Sequence, residues 1–121
     1  MKKEVIYFSA FSMMEPDTVE LLKENKGQVI SPNKKKTIDL HEHKILTFWD
    51  KVEEIGVWNW SKKYPVKEPE LIQMTDGYSW TLKLRNRNGK AKHCTGYMSF
   101  PRKFKDLIKE LNSLFGSNIR F

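Results

Sequence analysis

The side chains of this chain that could carry chemistry gather in a few places. All three histidines and the single cysteine occur in two pairs, His41-Glu42-His43 and His93-Cys94. Imidazole nitrogen and thiolate sulfur are the usual ligands of Zn²⁺, so four such groups could close a tetrahedral site. Spacing opposes this, because residues two apart on a helix diverge and neighbours on a strand face opposite sides. The same divergence keeps His93 from serving Cys94 as a base. No metal site and no cofactor are expected. Trp58-Asn59-Trp60, with Tyr64 and Trp80, has the composition of an aromatic cage for a cation or a sugar. Trp49 and Trp80 fall within amphipathic patterns, however, and large aromatics dominate the cores of small domains, so packing is the more economical role.

Pro16-Asp17 followed by Glu24-Asn25-Lys26 resembles the proline-aspartate and glutamate-x-lysine pattern of metal-dependent nucleases. That resemblance implies two carboxylates on Mg²⁺ and a lysine near the attacked phosphate. Those enzymes set the aspartate and the glutamate-x-lysine on neighbouring strands. Here all three residues read as one strand leading to a turn at Gly27, and short patterns match often by chance.

The sharpest local inference concerns a hairpin near the C-terminal third. Tyr78, Trp80, Leu82 and Leu84 alternate with polar residues, the period of a half-buried strand. With Asn88-Gly89 as a two-residue turn, Arg87 would pair with Lys90, Arg85 with Lys92 and Lys83 with Cys94. Lys83, Arg85, Arg87, Lys90 and Lys92 would then share the face away from the helices. Leu84, Leu82 and Trp80 would sit opposite His93, Thr95 and Tyr97. Paired like charges destabilise a sheet unless an acidic partner offsets them. The alternative is that they only keep an exposed sheet solvated and guard its edges.

The elements that must position these residues are strands near 4–12, 18–24, 28–31, 78–86 and 90–97, with helices near 40–55 and 102–115. Asp39 with Glu42 has the spacing of a capping box, and Gly56 would close the first helix. Pro101 suits the first turn of the second helix, which Gly116 would end. Lys34-Lys35-Lys36 reads as a loop before the first helix, and 57–75, with Pro65 and Pro69, as an extended connector. The order also suggests duplication. Val19, Leu21, Gly27 and the series Ile45, Phe48, Trp49, Val52, Ile55 recur, at an offset of about 60 residues, as Trp80, Leu82, Gly89 and Phe104, Leu107, Ile108, Leu111, Leu114.

With 121 residues the chain fits one domain, 1–121, large enough to bury a core. Seven Phe, four Trp and four Tyr exclude a disordered chain. One cysteine excludes an internal disulfide and suits a reducing compartment. The start has a charged and an apolar stretch, but Glu4 and the absence of a small-x-small cleavage site favour a strand over a signal peptide. No run is long enough to span a membrane, so a cytoplasmic protein with no membrane role is expected. The net charge of +7, from 22 basic and 15 acidic residues, favours nucleic acid, an anionic membrane surface or an acidic protein surface as partner without choosing among them.

Gly56-Val57-Trp58-Asn59-Trp60, then Asp76-Gly77-Tyr78-Ser79-Trp80, Gly96 and Phe100-Pro101 before a leucine-rich helix, resembles a pattern recurring in small bacterial α+β proteins. The resemblance implies architecture and no activity. The expected fold is thus α+β, an antiparallel sheet of two hairpin units with two helices on one face. The expected function is a noncatalytic binding protein, inhibitor- or immunity-like, presenting Lys83, Arg85, Arg87, Lys90 and Lys92, with Lys34, Lys35 and Lys36, to an acidic protein. Nucleic-acid binding through phosphate contacts is the alternative. A metal-dependent nuclease is a third.

Overall fold

Strand and helix periodicities sort the apolar residues onto one side of each element, and that sorting builds the molecule. The computed structural model describes residues 4–12, 15–31, 34–64, 79–97, 99–117 and 119. In chain order the elements are β1 (Val5–Ser12), β2 (Glu15–Leu22), β3 (Lys26–Ser31), β4 (Lys34–Asp39), α1 (Glu42–Ile55), β5 (Lys63–Tyr64), β6 (Ser79–Arg85), β7 (Ala91–Tyr97) and α2 (Phe104–Phe115). The strands form one sheet in the order β4-β3-β2-β1-β6-β7-β5. Every pairing is antiparallel except β5 with β7. This is the expected α+β fold, with a parallel edge added.

The core lies on one side of the sheet. Ile6, Phe8 and Ala10 of β1 face it with Val19 of β2, Trp80, Leu82 and Leu84 of β6, and Cys94 of β7, all buried. Helix α1 covers them with Ile45, Phe48, Trp49 and Val52, and α2 with Phe104, Leu107, Ile108, Leu111, Leu114 and Phe115. The helical period read these series except that Ile55, also expected, is only partly buried and Phe115 was not foreseen. Each such side chain contributes roughly 1.5–3 kcal/mol on burial. Phe104 is the hub, its ring centroid 4.8 Å from Trp80, 5.0 Å from Phe100, 6.0 Å from Phe8 and 6.3 Å from Trp60. Gly56 and Gly116 end the two helices in left-handed conformation, as expected.

Four local readings are corrected. Lys34–Lys36 form not a loop but the start of edge strand β4. Asp39 caps nothing: the strand runs up to it, its carboxylate pairs with Lys26, and His41 precedes the helix as N-cap without a side-chain bond. Helix α2 starts at Phe104, after a left-handed Lys103. Gly27 is not a turn residue. The β2–β3 turn is made by Glu24 and Asn25, both left-handed, while Gly27 lies in β3 paired with Leu21. A Cβ there would come within 2.9 Å of the Phe115 ring, so the glycine serves helix-to-strand packing. Duplication is not confirmed: four strands precede α1, whereas the hairpin β6–β7 precedes α2. The Asp76-Gly77 turn and Tyr78, with Pro65 and Pro69, lie outside the described residues.

Candidate functional site

Among the described residues one face of the sheet carries no helix, and its composition follows from the register. Residues that alternate with the buried set point to this side. Across the strands run Thr37, Gln28, Glu20, Tyr7, Lys83 and His93, each paired with the next. A second row runs Lys35, Ile30, Thr18, Ser9, Thr81, Thr95 and Lys63. A third holds Phe11, Ser79 and Tyr97. The middle row is a belt of hydroxyls, with Ser9 and Thr18 hydrogen-bonded at 3.2 Å. Lys83 lies over the Tyr7 ring, its ammonium 5.4 Å from the centroid. Phe11, 47% exposed, stands on this face as well.

Not all the basic residues of the hairpin share that face. The expected pairing is off by one: Arg85 pairs with Ala91, Leu84 with Lys92, Lys83 with His93 and Leu82 with Cys94. The loop explains the shift. Asn86 N–H donates to Lys90 C=O at 2.9 Å, Gly89 is left-handed, and the Asn86 side-chain oxygen accepts from the amides of Asn88 and Lys90. A three-residue loop results, not a two-residue turn. Every β7 side chain therefore changes face relative to the expectation. Lys83 and Arg85 stay on the bare face. Lys92 moves to the helix side beside Leu84, and His93, Thr95 and Tyr97 move outward.

Arg87 and Lys90 fold back over α1. Arg87 Nε donates to Glu4 at 3.1 Å, and its terminal nitrogen pairs with Glu42. Glu4, whose side chain is only 16% exposed, also accepts the Trp49 indole N–H at 2.5 Å. These hydrogen bonds raise the Arg87 pKa above its ordinary value. Lys90 lies 3.7 Å from Glu53 and 5.4 Å from the centroid of Trp58. Both cations are thus engaged by the protein's own acids and ring. Lys34 and Lys36 have the parity of the helix side of β4, and Lys35 that of the bare face; all three are exposed.

The other constellations come apart. Asp17 lies in β2 opposite Ala10, while Glu24 and Lys26 lie beyond the far end of that strand. The β2 backbone from Asp17 to Leu22 alone spans roughly 17 Å, too far for Asp17 and Glu24 to share one Mg²⁺ ion. Lys26 is held by Asp39, whose hydrogen bond and charge lower the Asp39 pKa and raise that of Lys26. His41 and His43 do not diverge as expected, because His41 precedes the helix; their rings stack at 5.8 Å. Among the described residues no group of three potential ligands surrounds a metal position. Trp58 stacks on Trp49 at 6.2 Å, with Lys90 already beside it, and Trp60 is buried. Those tryptophans pack.

Cys94 is fully buried on the helix side, and burial pushes its thiol pKa up, against a smaller opposing effect from Lys92. Iodoacetamide at pH 8 is expected to alkylate native protein at least about a hundredfold more slowly than urea-unfolded protein. Mass spectrometry of quenched time points checks this, and equal rates would contradict the burial.

Among the described residues a cleft of about 640 Å³ opens at the β2–β3–β4 end. Glu20, Leu22, Lys26, Thr37 and Asp39 line it from the bare side. What sequence reasoning missed were the aromatics. Tyr7 and Phe11 fall four apart on β1, the parity opposite to Ile6, Phe8 and Ala10, which is the signal that could have found them. No helix among the described residues is long and apolar enough to cross a membrane. No protein-family model, no curated protein and no solved structure matches the chain.

Proposed function

We propose that this is a noncatalytic binding protein whose bare sheet face docks an acidic protein partner, in an inhibitor- or immunity-like role. The observation that carries this reading is that, among the described residues, the seven-stranded sheet has helices on one face only. Seven strands at about 4.8 Å spacing and six residues at about 3.3 Å give a footprint near 30 by 20 Å. That is the scale of one side of a standard protein interface. Lys83 and Arg85 supply positive charge beside Tyr7, with Lys35 at the far edge, and tyrosine and arginine are enriched in interface cores. The hydroxyl belt offers neutral hydrogen bonds without strong desolvation cost.

Arg87, Lys90 and Lys92 drop out of the proposed contact set, since the first two are engaged with α1 and the third faces the helices. The test is capture from extract of the producing organism, with and without nuclease. Retention of one acidic protein after nuclease treatment supports the reading. Recovery of nucleic acid alone refutes it.

Nucleic acid is the second reading, and Tyr7, Phe11 and Tyr97 favour it. Aromatics on a basic sheet face are stacking platforms for unpaired bases. This reading requires affinity for unrelated single strands that falls steeply with salt.

A further inference from the structure

The sheet ends at β4, and no described strand lies beyond it. Its ladder with β3 fixes which backbone groups remain to be bonded. Leu40 N–H donates to Asn25 C=O at 2.8 Å, one step past the Asp39–Lys26 pair. Hydrogen-bonded and non-bonded pairs alternate along an antiparallel ladder. Ile38–Gly27, Lys36–Val29 and Lys34–Ser31 therefore exchange bonds, and the amides and carbonyls of Lys35, Thr37 and Asp39 point away from the sheet.

We propose that β4 is an addition site for an extended acidic segment of a partner protein, which continues the sheet as a further strand. This surface is the edge of the sheet, distinct from its bare face, and the inference does not depend on what docks there. Charge selects the occupant. Lys34, Lys35 and Lys36 are exposed and form no ion pair among the described residues. Alternation sends Lys35 to one side and Lys34 and Lys36 to the other, so carboxylates on both sides of an added strand find a cation. A second copy is disfavoured. In one of the two best-overlapping antiparallel registers of two β4 strands Lys36 faces Lys36, and like charges directly opposite destabilise; in the other, Lys36 faces Ile38 and Lys35 faces Asp39, whose carboxylate Lys26 already holds. The lysines thus favour an acidic strand over a second copy at the open edge.

The probe is a blocked ten-residue peptide of alternating valine and glutamate, titrated into the ¹⁵N-labelled full chain. The expected result is saturable binding with amide shifts concentrated on Lys34–Asp39. A peptide N-methylated at every amide binds at least about tenfold more weakly, because it cannot bond to the edge. Thr37→Pro, which removes an outward amide and leaves the β3 ladder its bonds, gives a similar loss. Equal binding of the N-methylated peptide, equal binding of a valine–lysine peptide, shifts centred on β6 and β1, or no binding at millimolar peptide would each overturn the proposal. The peptide comparison needs no variant, so misfolding of Thr37→Pro leaves it decisive.

Discussion

Gly96→Ala is expected to destabilise the protein by about 3 kcal/mol, the upper end of what overpacking a core costs. Trp80 and Gly96 are directly paired on β6 and β7, and the indole occupies the space beside the glycine. An added Cβ would overlap the indole ring itself, not the end of a flexible chain. Trp80 cannot retreat cheaply. Its N–H donates to Ser99 C=O at 3.0 Å, and its other faces meet Phe104 and Tyr64. Displacing it would cost the hydrogen bond as well as the packing. Gly27→Ala meets the Phe115 ring at 2.9 Å and Leu40 at 3.1 Å, distances that small shifts relieve, so a loss of about 1 kcal/mol is expected there. Urea titrations measure both. Combining Gly96→Ala with Trp80→Leu should cost less than the two single losses together, since the clash disappears with the ring. An unchanged midpoint for Gly96→Ala would mean that the indole does not cover Gly96.

Lys83→Glu with Arg85→Glu is expected to weaken the partner complex by about a thousandfold or more, equivalent to roughly 4 kcal/mol. Each change removes an attraction and installs a repulsion against an acidic surface. Stability should move by no more than about 0.5 kcal/mol, because both side chains point away from the core. Lys92→Glu is the control. It alters net charge by the same step per residue, yet Lys92 pairs with Leu84 on the helix side, so its effect on affinity should stay within about tenfold. Calorimetric titration at two salt concentrations separates the cases.

That contrast shows where the sequence was legible. Helical period placed both helices and their buried series because each apolar side chain has a packing partner. Strand period placed β6 for the same reason, whereas β1 and β7 were located as strands without it. Edge strand β4 was opaque: in Lys34–Asp39 only Ile38 packs on the core, so no alternation exists to read. The β6–β7 register turned on Asn86, whose side chain closes a three-residue loop where Asn88-Gly89 alone suggests two. One residue of slip exchanged Lys92 with His93 and divided the supposed basic face. The Glu4–Arg87–Glu42 cluster was invisible for another reason. It joins the start of β1, a hairpin loop and a helix start, which only the tertiary fold brings together. Trp80 and Gly96, in contrast, were both singled out in the sequence, and the register sets them side by side.

If the bare face, not the helix layer, meets the partner, two residues report on it side by side. Phe11 on β1 is 47% exposed on the bare face, and Leu46 on α1 is 45% exposed on the helix side. Hydroxyl-radical footprinting of the free protein and of the captured complex reads both in one sample. Oxidation of Phe11 is expected to fall several-fold in the complex, with Tyr7 and Tyr97 following it and Leu46 unchanged. Protection of Leu46 with Phe11 still reactive would place the partner on the helices and contradict the account.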